Sequence, residues 1–302
     1  MERPYLTVIA PEGGRSPAMR HPLPHLDDQA RSPVSVDSLL WMSGRPFEWI
    51  CEIEPPTRPD LMHVRHQIGV LSKVASGYLI PDNHVGRATV SSVAVAHEVD
   101  RMGGRAIACL NARDRNALGF RRDLLTGAAY GVDEFLFVYG DEPVTGDRTG
   151  QLTVRSMIEQ LRRFSDEHQG QAGRFRAGVT TRLRPLPVWK QDADFLFVQV
   201  SFDVDALLAW RDTVPFDGDV YAGVMVLPSA SMARKLVAAI PEIDVPATWL
   251  GAIESDRGAG VELACELAHR VAESGAFTGV HLIPGVRYRE TAARLEELDR
   301  SR

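Results

Sequence analysis

Cysteine is scarce. Only three occur in 302 residues, Cys51, Cys109 and Cys265, far apart and without a CxxC pair. That set offers neither a disulfide framework nor a zinc or dithiol centre, and it fits a reduced cytosol. No apolar run reaches the roughly 18–20 residues that a membrane helix needs, so no membrane partner is expected. The opening "MERPYLTVIAPEGG" lacks a basic stretch followed by an apolar one, so no signal peptide is read there. Positive charge is not concentrated either. The net charge is −6, the pI is near 5.9 and no basic stripe stands out, which argues against a nucleic-acid partner. GxSxG, HExxH and the kinase motifs are missing. "EGGRSP" has the glycines of a phosphate loop but neither a GK[ST] end nor a long strand before it.

What is present is globular. The chain is 44% hydrophobic and 25% charged, enough for one large domain or two ordinary ones. Residues 1–46 stand apart, rich in Pro, Arg, Ser and His as in "RSPAMRHPLPHLDDQARSP", and read as an irregular N-terminal extension. From Phe47 to residue 302 the pattern is regular. Short β-branched or aromatic runs cover 47–54, 77–83, 105–112, 132–140, 174–181, 194–203, 220–228 and 277–287. Each is followed by a stretch of helical period, although the fifth has only the short "PLPVWKQDA". Strand–helix alternation gives a parallel sheet, and eight units in about 250 residues is the size of a closed (β/α)8 TIM barrel. The rival is an open doubly wound sheet. It usually carries GxGxxG after its first strand, where this chain reads "EIEPPTRP".

In a barrel, chemistry gathers where the strands end. The candidates there are Glu52 and Glu54, Asp82 and Asn83, Asn111, Tyr139 and Asp141, Gln199, Ser201 and Asp203, and Arg287. Glu52 and Glu54 share a parity in "ICEIEPP", so both are candidates to face inward. A carboxyl buried at a barrel mouth is pushed up in pKa, as a general acid working near neutral pH requires. The plainer reading makes them solvated strand ends. In "FLFVYGDEP", Gly140 permits a sharp turn or a close approach to a ligand, and Asp141 stands on the rim or merely caps a turn. His63 and His66 lie three apart on a helix with no carboxylate or cysteine to complete a metal set, so no metal is expected. His281, inside the last strand, reads as a hydrogen-bonded core histidine. "DRGAGVEL" places glycines before a helix, an arrangement that suits a phosphate or a flexible loop.

Taken together, several strand ends resemble the methylenetetrahydrofolate reductase family, from Phe47 to the end of the chain. "FEWICEIEPP" is similar to the family's first strand with its E-F-F-P-P. "FLFVYGDEP" resembles L-R-G-D-P-P, and "DFLFVQVSFD" resembles T-Q-x-F-F-D. "VYAGVMVLPSAS" resembles I-P-G-I-M-P-I-S-N, and "GVHLIPGVR" resembles H-F-Y-T-L-N-R. The resemblance implies a (β/α)8 barrel that reduces 5,10-methylenetetrahydrofolate to 5-methyltetrahydrofolate with a reduced nicotinamide, in one-carbon metabolism. It implies Glu52 as general acid and Asp141 as the aspartate that binds the pterin and stabilises positive charge. Gln199 would hydrogen-bond the pterin and Arg287 would close the last strand.

The departures from the family fall on its flavin contacts. Tyr139 replaces the arginine before G-D, and Ala106 falls where the family has a histidine on strand three. Pro81 and Asp82 fall near T-Y-G, and "TTRLRP" replaces Y-P-E-G-H-P. The expectation is therefore hydride transfer directly from NADH, with NADPH open and FAD in doubt. Tyr139 and Asn83 are the candidate cofactor contacts. A folate-binding protein without catalysis and a folate-linked methyltransferase are the alternatives. The oligomeric state and the role of residues 1–46 are not read from the sequence.

Overall fold

The computed structural model describes residues 46–83, 86–141, 144–168, 175–240 and 242–300. The extension read over 1–46, with its "EGGRSP", lies outside the described residues except for Pro46. Eight parallel strands close into a barrel in chain order, the last pairing with the first. They are β1 (Glu48–Glu52), β2 (Gly77–Ile80), β3 (Ala106–Asn111), β4 (Glu134–Val138), β5 (Arg176–Thr181), β6 (Phe195–Val198), β7 (Asp219–Met225) and β8 (Gly279–Ile283). All eight fall inside or within one residue of the segments read from the sequence, most of them shorter.

Around them run α1 (Met62–Leu71), α2 (Ser92–Arg101), α3 (Ala117–Ala129), α4 (Val154–Glu167), α5 (Val204–Thr213), α6 (Ala230–Ala239), α7 (Ala247–Ser255), α8 (Ala259–Ser274) and α9 (Tyr288–Arg300). The local signals are plain in α4. Thr153 and Ser156 form a reciprocal capping box, and Met157, Ile158, Leu161 and Phe164 bury one stripe. Helix α8 stops at Gly275, which takes the left-handed conformation.

Two units depart from one strand, one helix. After β5, Pro185 and Pro187 remove backbone donors and bias the preceding residues away from helix, so only a 3-10 turn, Val188–Asp192, forms. After β7 the chain makes α6, α7 and α8 before β8. Helix α7, which the sequence pattern did not single out, buries Trp249 and Ile253.

The strand residues sort into two cores. Alternate side chains such as Cys51, Tyr78, Ala108, Leu110, Phe135 and Phe137 face the helices. The others, Ile50, Leu79, Ile107, Cys109, Leu136, Phe195, Phe197 and Tyr221, fill the barrel itself. Gly178 belongs to this inner set: a Cβ there would stand 1.8 Å from the Phe195 ring, so the glycine makes room for it.

Below the apolar filling, at the N-terminal ends of the strands, lies a charged layer. Arg105 grips Glu134 with two hydrogen bonds, 2.7 and 3.0 Å, and reaches Glu48 at 2.6 Å. Tyr221 donates to the same Glu48 carboxylate at 2.8 Å. Arg176 joins Glu134 to Asp219 and lies 5.3 Å from the centre of the Phe195 ring. This layer closes the end of the barrel opposite the mouth.

Candidate functional site

At the mouth, Glu52 ends β1 with its carboxylate half-buried. Its Oε2 lies 3.2 Å from Nε2 of His281, a β8 residue. Register brings them there: Ile50 pairs with His281, and Glu52 is the next residue on the same face of β1. The imidazole meets the edge of Phe197, ring centres 5.1 Å apart. His281 Nε2 is buried and, among the described residues, completes no hydrogen bond, although it stands 3.2 Å from Glu52 Oε2. His281 was expected to be a bonded core histidine; it is instead an inward partner of the candidate acid. Its parity with Val280 and Leu282 outward in "GVHLI" is the signal that could have shown this. Glu54, by contrast, is exposed beyond the strand end and does not share the inward position its parity suggested.

Cys109 lies beneath this pair. Burial raises its thiol well above the usual value, and the nearby charges of Glu52 and Asp82 raise it further. It is a neutral thiol at physiological pH rather than a nucleophile.

A polar knot holds the ends of β2 and β3. The Asp82 side chain, 4% exposed, accepts from Asn111 N at 2.9 Å and Asn111 Nδ2 at 2.7 Å, and it pairs with Arg115. Arg115 also binds Asp123 at 2.7 Å. Asn83 takes a left-handed backbone, φ +47°, which asparagine tolerates better than most residues. Its amide donates to Asp114 at 3.0 Å. Arg113 grips Asp114 with a fork of 2.7 and 3.0 Å. Burial alone would push the Asp114 carboxyl up. Hydrogen bonds from Arg113, Asn83 and Asn111, with the Arg113 charge, outweigh it and hold the group below its usual range.

The sequence reading missed this run of charged residues, although "NARDRN" directly follows a strand. Arg113 is 2% exposed, its Nη1 has no hydrogen-bond partner among the described residues, and the negative charges of Asp114 and Asp141 act on it.

Asp141 follows β4 and is exposed on the rim. It does not cap the next helix, since Thr153 does that. Gly140 before it has φ +99°, and a Cβ there would come within 2.9 Å of Asn111 Cβ. Gly140→Ala is therefore expected to cost about 1–3 kcal/mol of stability, from strain and a displaced Asn111, measured by chemical denaturation. Stability unchanged within about 0.5 kcal/mol would refute that account.

Gln199 follows β6, half-buried, its N–H bonded to Thr181 O at 2.7 Å. The strand stops at Val198, so Ser201 and Asp203 are not strand-end groups. Asp203 caps α5, and Ser201 hydrogen-bonds the Asp203 backbone. Arg287 lies four residues past β8 in a 3-10 turn and is committed locally, to Arg257 O at 3.2 Å and Glu290 at 2.9 Å. Tyr139 is 53% exposed and shares the outward parity of Phe137, so it faces away from the barrel axis. Glu52, Asp141, Gln199 and Arg287 thus all stand at one end of the barrel, with Arg287 farthest from its strand. Ala106 opens β3 at the opposite end, so the absence of a histidine there does not bear on the mouth. His63 and His66 set their ring edges against Tyr288. Among the described residues, no three His, Cys, Asp or Glu side chains converge to hold a metal ion.

Comparison with known proteins now gives the class. The family model for methylenetetrahydrofolate reductase matches residues 70–296. The chain belongs to the methylenetetrahydrofolate reductase family. A search of curated proteins finds no match to the chain. Among solved structures, a protein from Clostridium thermocellum that binds two copies of 5-methyl-5,6,7,8-tetrahydrofolic acid aligns with a TM-score of 0.58 and 11% identity. The alignment covers 88% of this chain and 98% of that one. The spore cortex-lytic enzyme SleL of Bacillus cereus aligns with a TM-score of 0.52 and 11% identity, over 84% of this chain and 74% of that one. At such identities these two likenesses show the barrel fold alone.

Proposed function

We propose that this protein reduces 5,10-methylenetetrahydrofolate to 5-methyltetrahydrofolate, taking hydride directly from NADH. The observation that carries the reading is Glu52, a half-buried carboxyl set against an otherwise unbonded His281 nitrogen at the barrel mouth. Family membership supports the folate substrate, and so does the folate ligand of the Clostridium thermocellum protein.

The chemistry follows from the groups present. Protonation of N10 by Glu52 breaks the N10–CH2 bond of the five-membered ring and leaves a cationic iminium on N5. The dinucleotide supplies the hydride that reduces this carbon to a methyl group. The carboxylates of Glu52 and Asp141 are negative groups at the same mouth, and negative charge favours the cation while it exists. Gln199 supplies neutral donor and acceptor groups to the pterin. The spent Glu52 recovers its proton through His281 or water.

The mouth does not fit a flavin at the positions the resemblance gives to it. Asp82 is saturated by Asn111 and Arg115. The mouth cations Arg113 and Arg115 are already engaged by Asp114, Asp82 and Asp123. No step is routed through FAD for that reason.

The purified protein is expected to be colourless and to oxidise NADH when methylenetetrahydrofolate is added, at the same rate with or without added FAD. The measurement is the nicotinamide absorbance. Dependence on FAD would sink the flavin-free part. Folate binding with no turnover would instead mark a binding protein.

A further inference from the structure

The missing helix after β5 leaves a groove at the rim of β4 and β5. It measures about 380 Å³ and is lined by Phe137, Tyr139, Arg155, Thr180, Trp189 and Lys190. Thr180 shares the inward parity of Gly178, whose Cβ position meets the Phe195 ring inside the barrel, so the groove adjoins the mouth. Through Arg155 and Trp189 it continues into a second hollow of about 460 Å³ that is bordered by Arg162 and Arg163.

Two kinds of group meet here. One is aromatic: the exposed Tyr139 ring and the half-buried Trp189. The other is cationic. Lys190 donates to Thr180 O at 2.7 Å, which fixes its ammonium at the rim, 5.4 Å from the centre of the Trp189 ring. Burial, then the charges of Arg184 and Arg182, lower its pKa. Among the described residues Lys190 has no ion-pair partner, whereas several arginines near it do. Arg182 has Glu242 as a partner, and Arg155 has Glu159 one helical turn away at 3.2 Å. Arg162 is occupied by Asp194 at 2.8 Å, and Glu159 and Asp192 also border the second hollow, so Lys190 is the cation that a ligand in the first groove meets. The positive end of α4, at Val154 and Arg155, faces the same space.

Flat rings beside the Lys190 ammonium and an exposed Arg155, which would exchange Glu159 for the ligand, suit a molecule with a base to stack and phosphates to pair. A polycarboxylate, such as an extended glutamate tail of a folate, would use the cations but not the rings. We propose that this groove seats the adenosine diphosphate half of the nicotinamide dinucleotide, with the phosphates on Lys190 and Arg155 and the adenine against Tyr139 or Trp189. That the ligand is the hydride donor rests on the function proposed above.

The test is calorimetric titration of the full-length protein with ADP-ribose, which keeps the adenine and both phosphates but lacks the nicotinamide. Saturable binding is expected, with NADH competing for it. Lys190→Ala and the exposed Arg155→Ala should each weaken it about tenfold or more, and Lys190→Arg should restore it to within about threefold. Thermal melts check that the variants fold. No binding of ADP-ribose to the wild type, or binding that both alanine variants leave unchanged, overturns the assignment. So does a loss in these variants confined to triglutamyl tetrahydrofolate, the second probe, which would place the folate tail there. Binding as expected in a protein that never oxidises NADH would sink the reductase reading while keeping the groove as a nucleotide site.

Discussion

Glu52→Gln is expected to lower the turnover number for methylenetetrahydrofolate reduction about 10²-fold or more, and to leave folate binding within about threefold of wild type. Glutamine keeps the shape and can still hydrogen-bond, but it has no proton to give N10. Ring opening is the step that creates the hydride acceptor, so losing the acid affects the transition state far more than the bound substrate. Steady-state rates with folate affinity measured separately would show the split. A variant that turns over within tenfold of wild type would remove Glu52 from the acid role. Equal losses in rate and affinity would make it a binding group.

The second large effect belongs to the other end of the barrel. Glu134→Ala is expected to destabilise the protein by about 2–3 kcal/mol, seen as a lower midpoint in urea or guanidinium. The carboxylate accepts both arms of Arg105 and one from Arg176 while itself 10% exposed. Its removal leaves two guanidinium groups short of a partner next to an apolar core. The figure is set below the usual range for a broken buried pair because Arg105 and Arg176 are about one-third exposed, and water can replace part of what is lost. Replacing Glu134 and Arg105 together by leucine and methionine should recover only part of the loss, since Glu48 then keeps Tyr221 but loses Arg105, and Arg176 keeps only Asp219. A change under about 0.5 kcal/mol for the single variant would show that the layer does not hold the barrel together.

The barrel was legible because its signals are local and repeated: eight apolar runs, helical period between them, and prolines that predict the truncated fifth unit. Helix α7 was not, because "PATWLGAIES" interrupts the alternation and the strand count was complete without it. In the site, Glu52 could be named from parity and from the family likeness. Its partner could not, because the pairing of β1 with β8 that brings His281 to it spans nearly the whole chain. The loop from Asn111 to Asn116 shows a related limit. A run of alternating arginine and aspartate looks like solvated surface until the fold wraps Arg113 and ties Asp82 to Asn111. Arg287 shows a further limit: its family position was matched by letter, and the sequence did not show that its side chain meets Arg257 O and Glu290.

The salt-linked layer at Glu48, Arg105, Glu134, Arg176 and Asp219 has a kinetic consequence. It backs an interior already packed with apolar side chains, so on the proposed reaction both reactants and both products would arrive at and leave from the mouth side. Whichever molecule enters last stands in front of the one that came first. On that reading departure would run in the reverse sequence, and an excess of the outer reactant would trap the inner product, which predicts inhibition by surplus substrate.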